Sequence, residues 1–214
     1  MQLVLASTSP RRRELLALLG VSFEVCSPTC EELPIPGLSP QKQVARFAME
    51  KAQAVSLLRP DDMVLGADTV IELDGTLLGK PVDIAEARVM LTSLAGRAHT
   101  VHTAVALCCP RERIAVVEVA RALVVMRPGT SQAMTRYLAT GESLGKAGAY
   151  SIQGQGGDLI ERIEGDFTTV VGLPLRLVAR LLQSAGHPVP QDVEALYQQR
   201  PYPNWARFAS LPKR

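Results

Sequence analysis

Leu3-Val4-Leu5-Ala6-Ser7-Thr8-Ser9-Pro10-Arg11-Arg12-Arg13-Glu14-Leu15-Leu16-Ala17-Leu18-Leu19-Gly20 is the stretch that decides how this chain is read. Leu3 to Ala6 makes a short buried strand. Ser9-Pro10 then opens a helix. Serine caps an orphan backbone N–H, and proline fits the first helical position, where a missing N–H costs nothing. Leu15, Leu16, Leu18 and Leu19 form the apolar side, and Gly20 ends it.

Working outward, Val21 to Cys26 reads as a strand and Pro28 to Pro40 as a proline-rich loop. Ser39-Pro40 repeats the helix-start signal, with Val44, Phe47, Ala48, Val55 and Leu58 at helical spacing. Met63 to Leu73 is a long strand, and Asp74-Gly75 is a hairpin turn. Asp83 with Glu86 resembles a capping box for a helix reaching about Leu94. Val101 to Leu107 pairs with Ile114 to Met126. A short helix follows Thr130-Ser131. Gly145 to Gly157 is a loop holding five of the sixteen glycines. Leu159 to Glu164 and Thr168 to Val171 read as strands about a Gly165-Asp166 turn. Gly172-Leu173-Pro174 opens a last helix ending at Gly186. This interleaving predicts an α/β fold, a mixed twisted sheet with flanking helices. Residues 1–186 form the predicted domain. Residues 187–214 form a tail expected to lie on the core or on a partner, without chemistry of its own.

Among 214 residues, 23 Lys plus Arg against 21 Asp plus Glu leave a net charge of +2, which argues against a nucleic-acid binder. Hydrophobic residues at 47% are ordinary globular usage. The start lacks a basic n-region and a long apolar core, and no apolar run approaches the ~20 residues of a membrane span. A soluble cytoplasmic protein with no membrane partner is expected. Cys108 and Cys109 are adjacent in a strand, which suits neither zinc nor a disulfide framework, so Cys26, Cys30, Cys108 and Cys109 are read as thiols.

Arg11, Arg12 and Arg13 crowd the positive end of the first helix, where each cation is unfavourable by roughly 0.3–1 kcal/mol. A polyanion would relieve that cost, so this turn is a candidate phosphate site. Asp68 lies in an apolar strand, where a carboxylate needs a partner or a metal. It is the candidate general base or metal ligand, and Glu31 and Glu32 could complete a site of oxygen donors. Lysine is scarce, so Lys51, Lys80 and Lys146 are sites where a compact ammonium is wanted. The glycines near Gln153 allow close approach to a flat ligand, and its amide suits a nucleobase edge. His99 and His102 face opposite sides of a strand and are read as structural.

Five motifs, in order, resemble the Maf family of nucleotide pyrophosphatases. They are Ala6-Ser7-Thr8-Ser9-Pro10-Arg11-Arg12, Gly66-Ala67-Asp68-Thr69, Gly79-Lys80-Pro81, Lys146 to Gly154, and Val170-Val171-Gly172-Leu173-Pro174-Leu175. The resemblance implies an elongated, two-lobed Maf/ITPase-like fold with a central cleft, a homodimer, and a divalent cation, Mg²⁺ or Mn²⁺. It implies cleavage of a nucleoside triphosphate to monophosphate and pyrophosphate.

By that resemblance Asp68, Lys51 and Lys80 are catalytic, Ser9, Arg11 and Arg12 bind phosphate, and Glu32 and Asp68 hold metal. Arg11, Thr69 and Gln153 match the branch acting on dTTP and UTP, with modified pyrimidine triphosphates left open. The alternatives are a 7-methyl-GTP pyrophosphatase, which the three branch positions disfavour, and a non-catalytic nucleotide-binding regulator of cell division. The acidic pair could align one residue either way, leaving Glu31 and Glu32 interchangeable.

Overall fold

The computed structural model describes residues 1–30, 33–129 and 131–208. In chain order the elements are β1 (Leu3–Ala6), α1 (Pro10–Ala17), β2 (Phe23–Cys26), α2 (Pro40–Ser56), β3 (Met63–Leu73) and β4 (Thr76–Leu78). There follow α3 (Ile84–Leu94), β5 (Ala98–Cys109), β6 (Ile114–Met126), α4 (Ser131–Ala139), β7 (Ile160–Glu164) and α5 (Phe167–Val171). The last are α6 (Leu175–Ser184), α7 (Val193–Gln199) and α8 (Pro203–Phe208). The strands form one sheet in the order β2-β1-β3-β5-β6-β7, with β4 paired to β3 off that path. β1 is parallel to both neighbours, while β3–β4 and β6–β7 are antiparallel, so the sheet is mixed.

The chain divides into two compact units. The first comprises Met1–Thr69, Thr103–Ala120 and Gly172–Gln199. Its core holds Leu3, Leu5, Leu15, Leu16, Leu19, Met63, Leu65 and Leu107, all fully buried. β1 is buried along its whole length, as befits a parallel strand between two others. Register places Ala6 opposite both Cys26 and Gly66. α6 lays Leu175, Val178, Ala179, Leu181 and Leu182 inward. Its outer face ties down α7: Arg176 donates twice to the Glu194 carboxylate and lies 3.7 Å from the centre of the Tyr197 ring.

The second unit comprises Val70–His102, Arg121–Val171 and, of the described residues beyond, 200–208. Residues 187–199 of the tail therefore pack in the first unit and residues 200–208 in the second. Asp74 and Gly75 both take left-handed backbone, the conformation an Asp-Gly hairpin needs. Asp83 accepts from the Glu86 N–H, and Glu86 returns the bond to the N–H of Val82. The box closes one residue earlier than the pattern predicts.

One predicted strand is wrong. Phe167–Val171 is a short helix, although Thr168 to Val171 is a β-branched run. Asp166 overrides the propensity. Its carboxylate accepts from the N–H of Thr168 at 3.0 Å and from the Thr168 hydroxyl at 2.6 Å, and its carbonyl accepts from the Thr169 N–H. That is a helix cap, and it makes the following turn helical.

Cys26, Cys30, Cys108 and Cys109 are thiols rather than disulfides. Burial pushes the Cys108 thiol up to about 11, which keeps it protonated and inert. His99 and His102 do face different partners: Tyr150 for one and Glu72 for the other, each at 2.7 Å. No helix among the described residues is long and apolar enough to cross a membrane.

Candidate active site

Asp68 stands two residues beyond the last β1–β3 pair, alongside the chain that leaves β1 for α1. Strand alternation puts it on the same face as Gly66. That face receives α2, whose buried side carries Val44, Ala48, Lys51, Ala52 and Val55. The helix comes very close: a Cβ built on Gly66 would lie 2.4 Å from the Ala48 carbonyl oxygen and 2.8 Å from the Ala52 nitrogen. Glycine at 66 is therefore required by packing.

The close approach brings the Lys51 ammonium to 2.5 Å from Oδ1 of Asp68. Lys51 is 6% exposed and Asp68 4%. The carboxylate that looked costly in an apolar strand is thus paired, and so is a lysine on an apolar helical face. Each charge offsets part of the cost of burying the other.

The β1–α1 connection lies at the carboxyl end of β1, the usual ligand end of parallel strands. Ser7 accepts from the Ser9 N–H at 3.1 Å. Ser9 caps α1 through the Arg12 N–H at a long 3.5 Å. Arg12 folds back rather than out. Its Nε donates to the Gly172 carbonyl at 2.9 Å and its Nη2 to the Thr69 hydroxyl at 3.1 Å. Thr69 in turn shares a hydrogen bond of 3.0 Å with Thr103, which is fully buried. Gly172 has a φ of 118°, and an added Cβ there would crowd Thr69. Arg11 is half-buried in the first turn of α1.

The first unit thus gathers Ser9, Arg11, Arg12, Lys51, Asp68 and Thr69 among the predicted site residues. Thr103 and the Gly172 carbonyl join them; Thr103 carried no signal in the sequence, and Gly172 stood out only within a family motif. Lys51 did carry one, as one of the chain's few lysines. Glu31 and Glu32 lie outside the described residues. Among the described residues no three His, Cys, Asp or Glu side chains group as a ready metal site.

Lys80 and Gln153 belong to the second unit. Lys80 is exposed after β4, and its neighbour Gly79 accepts from the Gly148 N–H at 3.0 Å. Gln153 is half-buried in the glycine loop. The side-chain faces of the glycines near Gln153 are taken up by the protein itself. Added Cβ atoms would strike the chain itself: Glu142 at Gly154, Ser151 backbone at Gly156 and Asn204 at Gly157. Those glycines let the loop fold against its own unit.

A family model described as Maf-like protein matches residues 2–185. A dTTP/UTP pyrophosphatase of Myxococcus xanthus is 48% identical over 188 residues, 88% of this chain and 94% of that protein. Those of Symbiobacterium thermophilum and Anaeromyxobacter dehalogenans are 45% and 47% identical, over 88% and 89% of this chain and 96% and 97% of theirs. With the family motifs spread across β1–α1, β3 and the glycine loop, and the match spanning both units, this chain belongs to the Maf-like protein family.

Proposed function

We propose that this protein hydrolyses dTTP and UTP to the monophosphate and pyrophosphate. The buried Lys51–Asp68 pair carries the reading, in a chain close to half identical to proteins named dTTP/UTP pyrophosphatase. A buried carboxylate held at one oxygen by an ammonium has a fixed direction. Asp68 accepts the proton of a water that attacks the α-phosphorus. The bond from that phosphorus to the bridging oxygen breaks, and pyrophosphate leaves. Arg11 and Arg12 at the first turn of α1, with Lys80, meet the negative charge of the triphosphate.

A divalent cation suits this set. Mg²⁺ and Mn²⁺ prefer oxygen donors and commonly take one or two carboxylates with substrate phosphates for the rest. Asp68 would supply one carboxylate and Glu32 the other. When bound, the cation polarises phosphoryl oxygens and favours ionisation of water. Thr69 acts by orienting Arg12, while Gln153 offers its amide to the O4 and N3–H edge of uracil or thymine. Residues 1–186 hold these groups, and the tail supports them. The proposal extends to a cytoplasmic homodimer with no nucleic-acid or membrane partner.

The test is pyrophosphate release with Mg²⁺ or Mn²⁺ from dTTP, UTP, CTP, dGTP, GTP and 7-methyl-GTP, with Asp68→Asn as the blank. Preferential turnover of dTTP and UTP is expected. Turnover of 7-methyl-GTP alone would overturn the substrate, and nucleotide binding without turnover would favour the regulator.

A further inference from the structure

The family match ends at residue 185, yet a residue well beyond it holds the glycine loop. Asn204, on α8, donates from Nδ2 to the carbonyl oxygens of Ile152 at 2.7 Å and Gly154 at 3.1 Å. Those carbonyls sit in the peptides that bracket Gln153-Gly154. Gly157 makes the space: a Cβ there would lie 2.5 Å from Asn204 Nδ2.

The helix that carries Asn204 is itself fixed within the second unit. Trp205 is buried, stacked on Phe167 at 5.4 Å between ring centres and on Tyr202 at 6.2 Å. Arg207 donates to Asp158 at 2.8 Å, one residue past Gly157. On its other flanks the loop is held by Tyr137, which accepts from the Ser151 N–H, and by Glu142, which accepts from the Gln155 N–H. The two N–H donors of one amide nitrogen suffice to hold both carbonyls.

We propose that Asn204 is a positioning residue for substrate specificity: it fixes the backbone that presents Gln153 to the base of a pyrimidine nucleoside triphosphate. This inference rests on the dTTP/UTP reading above. Asn204→Asp keeps the shape but replaces both donors by acceptors, and Asn204→Ala removes them.

Steady-state pyrophosphate release from UTP and CTP tests it, with Arg176→Ala as a control that loosens α7 in the first unit. Both Asn204 variants should raise KM for UTP about tenfold and lower the UTP preference by a similar factor, as loss of one to two hydrogen bonds implies. Their kcat for UTP should stay near wild type, and Arg176→Ala should leave KM and preference unchanged. Asn204→Ser, with one donor, should fall between and serves if the Asp variant does not fold. Wild-type KM and preference in the Asn204 variants, beside an active wild type, would overturn this inference alone. A fall in kcat that tracks Tm and recurs in Arg176→Ala would do the same. A wild type that cleaves neither dTTP nor UTP overturns the functional reading and the inference with it.

Discussion

The Nζ of Lys51 and Oδ1 of Asp68 meet at 2.5 Å across 17 residues of sequence, and both side chains are withdrawn from solvent. Lys51→Met strands the carboxylate and should cost about 3–5 kcal/mol of stability, the usual penalty for breaking a buried pair. Asp68→Asn leaves Lys51 an amide oxygen to donate to, so it should fold with a smaller loss. Its turnover should still fall about a hundredfold or more, as removal of a general base implies. Thermal unfolding and pyrophosphate release separate the two effects. Near-normal kcat in Asp68→Asn would sink the role given to this carboxylate.

Gly66→Ala probes the packing that makes the pair. The new methyl would meet backbone atoms of Ala48 and Ala52, which cannot swing aside. A loss of about 1–3 kcal/mol is expected from overpacking. Because α2 must shift, Lys51 shifts with it, and activity should fall further than in a surface variant of equal Tm. Wild-type Tm and kcat together would refute this account of Gly66.

Thr69 is the acceptor for Arg12 Nη2. Thr69→Val keeps the shape and removes the hydroxyl that accepts from Arg12 and is shared with Thr103. We expect about 1 kcal/mol of lost stability and a raised KM for the triphosphate as Arg12 loses its orientation. Thr69→Ser should recover most of both. A Val variant with unchanged KM would show that Thr69 does not act through Arg12.

Burial lowers the His99 pKa from 6.5 to about 4, and among the described residues its buried Nδ1 has no hydrogen-bond partner. Between those values the unfolded chain binds a proton that the folded chain declines. Stability is therefore whole above pH 6.5 and is lost as pH falls toward 4, by up to about 3 kcal/mol. The Tyr150 hydroxyl, pushed upward by burial, stays protonated throughout. His99→Gln should flatten the dependence of Tm on pH across this window. An equally steep fall in that variant would assign the slope to other groups.

What the sequence determined by itself is the part whose chemistry is local. Ser9-Pro10, Asp74-Gly75 and Asp83 with Glu86 each act within a few residues, so the elements they start or turn appear where expected. The site motifs around Ser9, Asp68 and Gln153 were legible as residue types. Even locally, competing signals needed the structure to decide between them. Thr168 to Val171 favours a strand by propensity, and the Asp166 cap makes it a helix.

Tertiary structure alone decided the partners. Lys51 reaches Asp68 because α2 can press on Gly66, and Arg12 is turned toward Gly172, 160 residues away, by a carbonyl no side chain announces. The glycine loop is shaped by Asn204, 50 residues beyond its nearer carbonyl. Such contacts form only when distant segments pack, because a buried charge or donor takes whatever partner the fold delivers.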